Sequence, residues 1–264
     1  MNLNEINFSF GGQHCLRDFG CIYVEKGGHP IAPPVTPNAY EIAGMSGTVR
    51  LPGEVYGQLP FEGTLYFLSD PPSQSAAQER LRAISRWLLN GRQRLVFDYE
   101  PDRYYLAEVV DGTDWGFSGW IEGGLEVGFF AQPYAYSVTE STASLTTTVT
   151  DNALNLSVST GVPAPLKLVI QNTGAAAITG VTVTVDGKAA AFFGMNVAAG
   201  DSLTIDMEPP VGAIFSGGGS ALPHATQFDS IELSAGKHTL GVTLAFGAGT
   251  KSAKVTASAR GRWL

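Results

Sequence analysis

The chain has 264 residues and a mass of 27.9 kDa, with 44% apolar and 15% charged residues and a formal net charge of −8. This composition excludes a disordered polyelectrolyte, and no apolar run approaches the roughly 20 residues that a membrane helix needs. The length exceeds the commonest domain size and predicts two domains, each able to bury its own core.

Charge divides unevenly. Residues 1–137 carry 9 Lys/Arg against 16 Asp/Glu, and residues 138–264 carry 7 against 8, leaving −7 and −1. An acidic half repels the phosphate backbone, so specific nucleic-acid binding is not predicted. MNLNEINFSF lacks a basic segment followed by an apolar core, which predicts no secretory signal and a protein kept in a cytoplasm. The sequons at Asn7 and Asn155 then carry no weight.

Cys15 and Cys21 lie close together in a segment that reads as β, and they are expected to be reduced and structural. His14, His29, His224 and His238 share no ligand-like spacing with them, so no metal site is assigned. Ile22–Val24 reads as a strand. The segment Pro30–Pro37 is too proline-rich for a full ladder and reads as an extended arm or surface loop, and Leu51–Gly57 reads as a loop. These two segments, through Pro33, Pro34, Pro37, Leu51, Pro52 and Gly53, are the candidate subunit contacts.

A strand over Thr64–Leu68 precedes the one long predicted helix, Ser73–Asn90. Ser73 or Ser75 caps it, Gly91 is the expected C-cap, and Ala77, Leu81, Ile84 and Leu88 form an apolar stripe with Arg80, Arg82 and Arg86 off that line. The arginines read as a solvated face or a subunit contact, because no stacking aromatics are interleaved as nucleic-acid binding would want. Further strands are expected at Arg94–Phe97, Tyr104–Val110 and Leu125–Phe130.

After Tyr136 the texture changes to short alternating runs of Thr, Ser, Ala and Val, while Trp87, Trp115 and Trp120 all lie before it. A boundary is therefore set near Ser137, giving domains 1–137 and 138–264. Leu166, Leu168 and Ile170, then Val181, Val183 and Val185, then Leu203, Ile205 and Met207, then Leu240, Val242, Leu244 and Phe246 alternate with period two. Asn172-Thr173-Gly174, Asp186-Gly187, Gly200-Asp201, Ala235-Gly236-Lys237 and Gly247-Ala248-Gly249 punctuate them as tight turns with positive φ. The pattern is a β-sandwich, with jelly-roll and immunoglobulin-like topologies both open.

Four motifs are tested for chemistry. Asp98, Glu100 and Asp102 have the opening spacing of a calcium loop, but Arg103 and Val109 stand where Gly and Glu are required, so the segment reads as a stiff acidic surface turn. Gly247–Ser252 is GAGTKS, which lacks the second Gly and the helix of a phosphate loop and reads as a hairpin turn. Ser216–Ser220, SGGGS, reads as a mobile surface loop. Gly44-Met45-Ser46-Gly47 does not have the spacing of a nucleophile elbow. No catalytic, cofactor-binding or metal-binding residue is assigned, and an enzyme is not expected. Sugar recognition needs exposed aromatics beside polar groups, and Phe215 is the one aromatic of the second half whose context points outward.

Ordered motifs across the first half resemble the N-terminal domain of siphovirus distal tail (Dit-like) proteins. They are Phe8–Gly12, Asp18–Val24, Arg50–Gly53, Arg86-Trp87-Leu88, Leu95-Val96-Phe97-Asp98, Glu100–Tyr105 and Pro133–Tyr136. After Pro52-Gly53 the chain has Glu54-Val55-Tyr56-Gly57 where the family often shows R-D-G. The second half is similar by architecture, through Asn172–Gly174, Leu203–Asp206 and Arg260–Trp263. The resemblance implies a mainly β protein: a β-rich α+β ring domain with one long helix, followed by a galectin-like or jelly-roll sandwich. It further implies a non-enzymatic virion protein, assembled in the bacterial cytoplasm into a homohexameric ring at the distal end of the tail. That ring would join the tail tube to tail-tip, baseplate or fibre proteins, without cofactor or membrane insertion. DNA would pass through its lumen, which the acidic half would keep from sticking. A glycan-binding tail-tip module acting through the sandwich is the alternative, and a tail-associated hydrolase comes third.

Overall fold

The computed structural model describes residues 7–26, 28, 30–69, 71–111, 115–118 and 122–264, and the side chains at 50–54, 111, 115–118 and 122–123 lie outside this set. His29 and Trp120 fall outside the described residues. The fold is mainly β, and the chain divides into one compact unit ending at Val138 and a second over Thr139–Trp263. No helix among the described residues is long and apolar enough to cross a membrane.

The first unit contains β1 (Phe8–Phe10), β2 (Gln13–His14), the short helix α1 (Cys15–Phe19) and β3 (Cys21–Glu25). Then come β4 (Val35–Glu41), β5 (Thr48–Tyr56), β6 (Leu59–Phe67), the helix α2 (Gln74–Leu88), β7 (Gln93–Phe97), β8 (Arg103–Asp111), β9 (Trp115–Ser118) and β10 (Glu122–Ser137). The main sheet runs β2-β1-β7-β8-β10-β6-β3, with β9 also on β10. All five strand segments predicted for this half are present.

One face of that sheet buries Phe8, Phe10, Tyr23, Phe61, Leu65, Leu95, Phe97, Ala107 and Phe129. Helix α2 covers them with Ile84, Trp87 and Leu88, and the Trp87 indole N–H donates to the Phe10 carbonyl at 2.7 Å, so its polar atom is satisfied inside the core. Phe8 lies against Tyr23 and Phe129 edge-on, at 5.1 Å in each case, and stacks on Trp87 at 5.7 Å. Ala77, Ile84 and Leu88 of the predicted stripe are buried, and Leu81 is half-buried.

Ser73 caps α2, its hydroxyl accepting from the Ala76 amide at 3.2 Å. The C-cap is Leu89 and not Gly91, which lies two residues further on with φ +70°. Arg80 is not on the solvated face. Its guanidinium donates to the carbonyls of Phe19, Gly20 and Ser69 and lies 4.2 Å over the Phe67 ring, because α1 leaves its last carbonyls pointing toward α2.

The segment holding Cys15 is helical at that residue and not β. His14 is the N-cap, with Nδ1 accepting from the Leu16 and Arg17 amides at 3.1 Å each, and Gly20 closes α1 with φ +59°. Both cysteines are buried free thiols; burial pushes Cys15 up to about 11 and Cys21 up to about 12.

The second unit is built from β11 (Ser141–Thr147), β12 (Asp151–Val158), β13 (Ala164–Asn172), β14 (Ile178–Val185), β15 (Lys188–Val197) and β16 (Ser202–Asp206). It continues with β17 (Gly212–Phe215), β18 (Ala225–Phe228), β19 (Glu232–Leu233), β20 (Gly236–Phe246) and β21 (Ala253–Ala259). One sheet runs β11-β21-β13-β16-β17, with β19 added at β13, and the facing sheet runs β12-β20-β14-β15-β18. The inward residues are the alternating sets of the sequence pattern, Leu166/Leu168/Ile170, Val181/Val183/Val185, Leu203/Ile205 and Leu240/Val242/Leu244.

The expected positive φ is found at Asp186, Gly187, Gly200, Gly236 and Gly249, while the kind of connection differs at three of the turns. Asp186 (φ +51°) and Gly187 (φ +80°) close the β14–β15 hairpin as predicted. Asn172–Gly174, Gly200–Asp201 and Gly247–Ser252 instead carry the chain from one sheet to the other, so GAGTKS is a corner and not a hairpin turn. Gly174 does not have a positive φ; a Cβ there would lie 2.4 Å from the Thr250 carbonyl oxygen, so close approach of backbone is what requires glycine. SGGGS is tied down: the Phe215 amide donates to Gly219 at 2.8 Å, the Gly218 amide to Phe215 at 2.8 Å and the Ser216 amide to Ser202 at 2.8 Å.

Candidate assembly surface

Val35–Glu41 and Thr48–Tyr56 correct the reading of an unpaired proline arm and a separate loop. β4 and β5 pair antiparallel, from Val35 opposite Tyr56 to Glu41 opposite Thr48, as a sheet of two strands only. Pro37 is tolerated because the ladder is interrupted beside it: between the Pro37–Glu54 and Ala39–Arg50 pairs, residue 38 of β4 stands opposite residues 51–53 of β5. At the base, the Gly57 amide donates to the Pro34 carbonyl at 2.7 Å, and the Tyr56 ring meets Tyr134 at 6.2 Å. At the tip, Gly44 (φ +85°) and Gly47 (φ +96°) turn the chain.

Six of the seven β4 residues are exposed, on both faces of the strand. Ile31 is 91% exposed, Val55 63%, Met45 57% and Tyr40 56%. A two-stranded hairpin is marginal by itself in water, and this one presents large apolar side chains that the described residues of its own unit leave exposed. The candidate contacts distribute as follows: Pro34 and Pro37 lie in the base and bulge of the hairpin, and Pro33 is buried beside it. Leu51, Pro52 and Gly53 lie within β5, their side chains outside the described residues. Sequence reasoning missed Tyr40, Ile42 and Met45, and within its two named segments it singled out prolines, Leu51 and Gly53 and not Ile31 or Val55. The available signal was β-branched and aromatic residues on either side of the glycine-bracketed Ala43–Gly47, which is a hairpin pattern.

The acidic turn after β7 is less exposed than expected. Asp98 accepts from His14 Nε2 at 3.0 Å, and Glu100 from Arg103 at 2.7 Å. Because His14 Nδ1 already accepts two backbone N–H groups, Nε2 is the protonated nitrogen and donates to Asp98. Asp98 therefore ties the turn to the α1 cap. Among the described residues no three of His, Cys, Asp or Glu converge as a metal site.

In the second unit Phe215 is partly buried against the sandwich core, opposite Leu203, with its ring 6.1 Å from that of His224. Its neighbour Ile214 is 52% exposed.

No protein-family model and no curated protein matches the sequence. Among solved structures the chain is similar to the crystal structure of SPP1 Dit (gp 19.1), described as a paradigm of the hub adsorption apparatus in phages that infect Gram-positive bacteria. The TM-score is 0.67 at 15% identity, covering 98% of this chain and 99% of that one. At this identity the likeness is one of fold, and it extends over both units.

Proposed function

We propose that this chain is a structural component of a bacteriophage tail. It would assemble into a hexameric ring that forms the hub between the tail tube and the tail-tip, baseplate or fibre proteins, and it would act by assembling and not by catalysis. The observation that carries the reading is the hairpin β4–β5, a paired but otherwise uncovered element with apolar side chains on an acidic, charge-repelling unit. Closed rings require heterologous contacts, in which one surface of a subunit fits a different surface of the next, and a projecting hairpin supplies one half of such a contact. The full-length likeness to a hub protein of a phage adsorption apparatus supports the same role.

The test is light scattering with negative-stain imaging of the full chain. Six-membered rings are expected, and a monodisperse monomer across a wide concentration range would overturn the proposal. Tyr40→Asp combined with Val55→Asp, both at exposed positions, should leave each subunit folded while shifting the assembly toward smaller species. Unchanged rings would remove the hairpin from the interface.

A further inference from the structure

A concave site on the second unit is left unused by a ring-building role. Across the outer face of one sheet, Lys167, Asp206 and Gly212 form one cross-strand row, and Val169, Thr204 and Ile214 form the next. The turn that joins β16 to β17, containing Glu208, Pro209 and Pro210, walls these rows on one side and leaves an open, shallow cavity of about 500 Å³. Gly212 leaves the floor open, since a Cβ there would meet nothing nearer than the Pro210 carbonyl at 3.9 Å.

The polar groups converge. The Lys167 ammonium lies 3.0 Å from Asp206, whose other carboxylate oxygen accepts the Glu208 amide at 3.0 Å. The ammonium retains N–H groups beyond the one directed at Asp206, and Thr204 adds a hydroxyl that both donates and accepts. Glu208 is exposed on the turn; partial desolvation pushes its carboxyl above the usual range, with Arg262 opposing this. Between these groups stand apolar walls: the two proline rings, the exposed Ile214 and the edge of Phe215.

We infer that this cavity binds a neutral saccharide. A pyranose presents alternating donors and acceptors around its rim and apolar C–H faces, and the cavity offers acceptors at Asp206 and Glu208, donors at Lys167, a hydroxyl at Thr204 and an apolar wall. Two carboxylates oppose nucleotides and acidic peptides, the ammonium opposes a divalent cation, and a purely apolar ligand would leave charged groups desolvated. The rival position is Phe193, 50% exposed on the facing sheet. Its ring lies across Gly180, where a Cβ would be 2.9 Å away, so it serves to cover a glycine on a flat face.

The test uses the full chain on an immobilised glycan array, followed by calorimetric titration with neutral oligosaccharides such as maltotriose, cellotriose and chitotriose. Binding in the range of about 1 mM or tighter is expected for at least one. Gly212→Gln, which fills the cavity where space is open, should weaken it at least tenfold with an unchanged melting profile, and Thr204→Val should weaken it several-fold. Phe193→Ala should leave it unaltered. Absence of binding to every neutral glycan, binding confined to charged glycans, or loss with Phe193→Ala and retention with Gly212→Gln would overturn the inference. It is independent of the ring: a chain that assembles but binds no sugar refutes this site alone, and a monomer that binds sugar refutes the ring alone.

Discussion

Asn172 offers the sharpest test of how the second unit is held together. Its side chain is fully buried at the corner where β13 leaves one sheet for β14 in the other. Its Nδ2 donates to the carbonyls of Ala176 and Val197, at 2.9 Å each, and its Oδ1 accepts the Gly174 amide at 3.0 Å. Asn172→Ala takes the side-chain donor from the Ala176 and Val197 carbonyls, while the Gly174 amide keeps its bond to the Ser252 carbonyl at 3.0 Å. Each unsatisfied buried group costs about 1–3 kcal/mol, and partial relaxation of the corner reduces the sum, giving about 2–4 kcal/mol. For a unit of this size each kcal/mol moves the midpoint by about 4 °C, so a fall of roughly 8–16 °C is expected in thermal unfolding followed by circular dichroism. Asn172→Asp should be at least as damaging at neutral pH, because it sets a carboxylate against two carbonyl oxygens, and should recover partly in acid when the protonated form donates once. A loss below about 1 kcal/mol for the alanine variant would refute the view that this side chain satisfies the corner.

Three further outcomes are expected. Among the described residues the buried Tyr23 hydroxyl has no hydrogen-bond partner, so Tyr23→Phe should keep the ring packing and raise stability by about 1 kcal/mol in urea unfolding; a clear loss would point to a partner for the hydroxyl. Cys15 and Cys21 have folded-state values above the ordinary thiol range, so their contribution is fully present below about pH 9 and is lost as pH rises toward 11–12. Native protein at pH 8 should therefore resist a thiol reagent that the unfolded chain consumes at once, and rapid labelling of both native thiols would contradict this. Arg80→Lys keeps the charge but loses the planar fork that reaches Phe19, Gly20 and Ser69; it should cost about 1–2 kcal/mol, and an unchanged denaturation midpoint would show that the fork contributes nothing.

The elements that could be read in the sequence were those whose reasons are local. The α2 stripe at Ala77, Ile84 and Leu88, the Ser73 cap and the period-two runs around Leu168, Val183, Ile205 and Val242 needed only side-chain periodicity and capping chemistry. The errors fell where a distant group decides. Arg80 read as a surface arginine because two of the three carbonyls it binds, those of Phe19 and Gly20, lie some sixty residues earlier in the chain. Glycine at 174 read as a positive-φ turn residue, whereas its cause is the backbone of Thr250. Cys15 read as β because a His N-cap is a weak local signal until Asp98 holds the ring from across the sheet.

The same division holds for the candidate sites. The sequence marked the neighbourhood of the arm through its prolines but read two unrelated loops, since pairing of Val35–Glu41 with Thr48–Tyr56 depends on register, which composition does not carry. It singled out Phe215 as an isolated aromatic, while the cavity beside it is assembled from β13, β16, β17 and a turn, and only the sheet order brings Lys167, Asp206 and Gly212 into one row.

Composition, periodicity and ordered motifs by themselves determined a mainly β chain in two parts with one amphipathic helix, because hydrophobic patterning is a local property of neighbouring residues. Tertiary structure alone decided which strands meet, which charged side chains turn inward and which hairpin is left uncovered. Those outcomes follow from long-range pairing and burial, where the energies belong to groups that the chain keeps far apart until it folds.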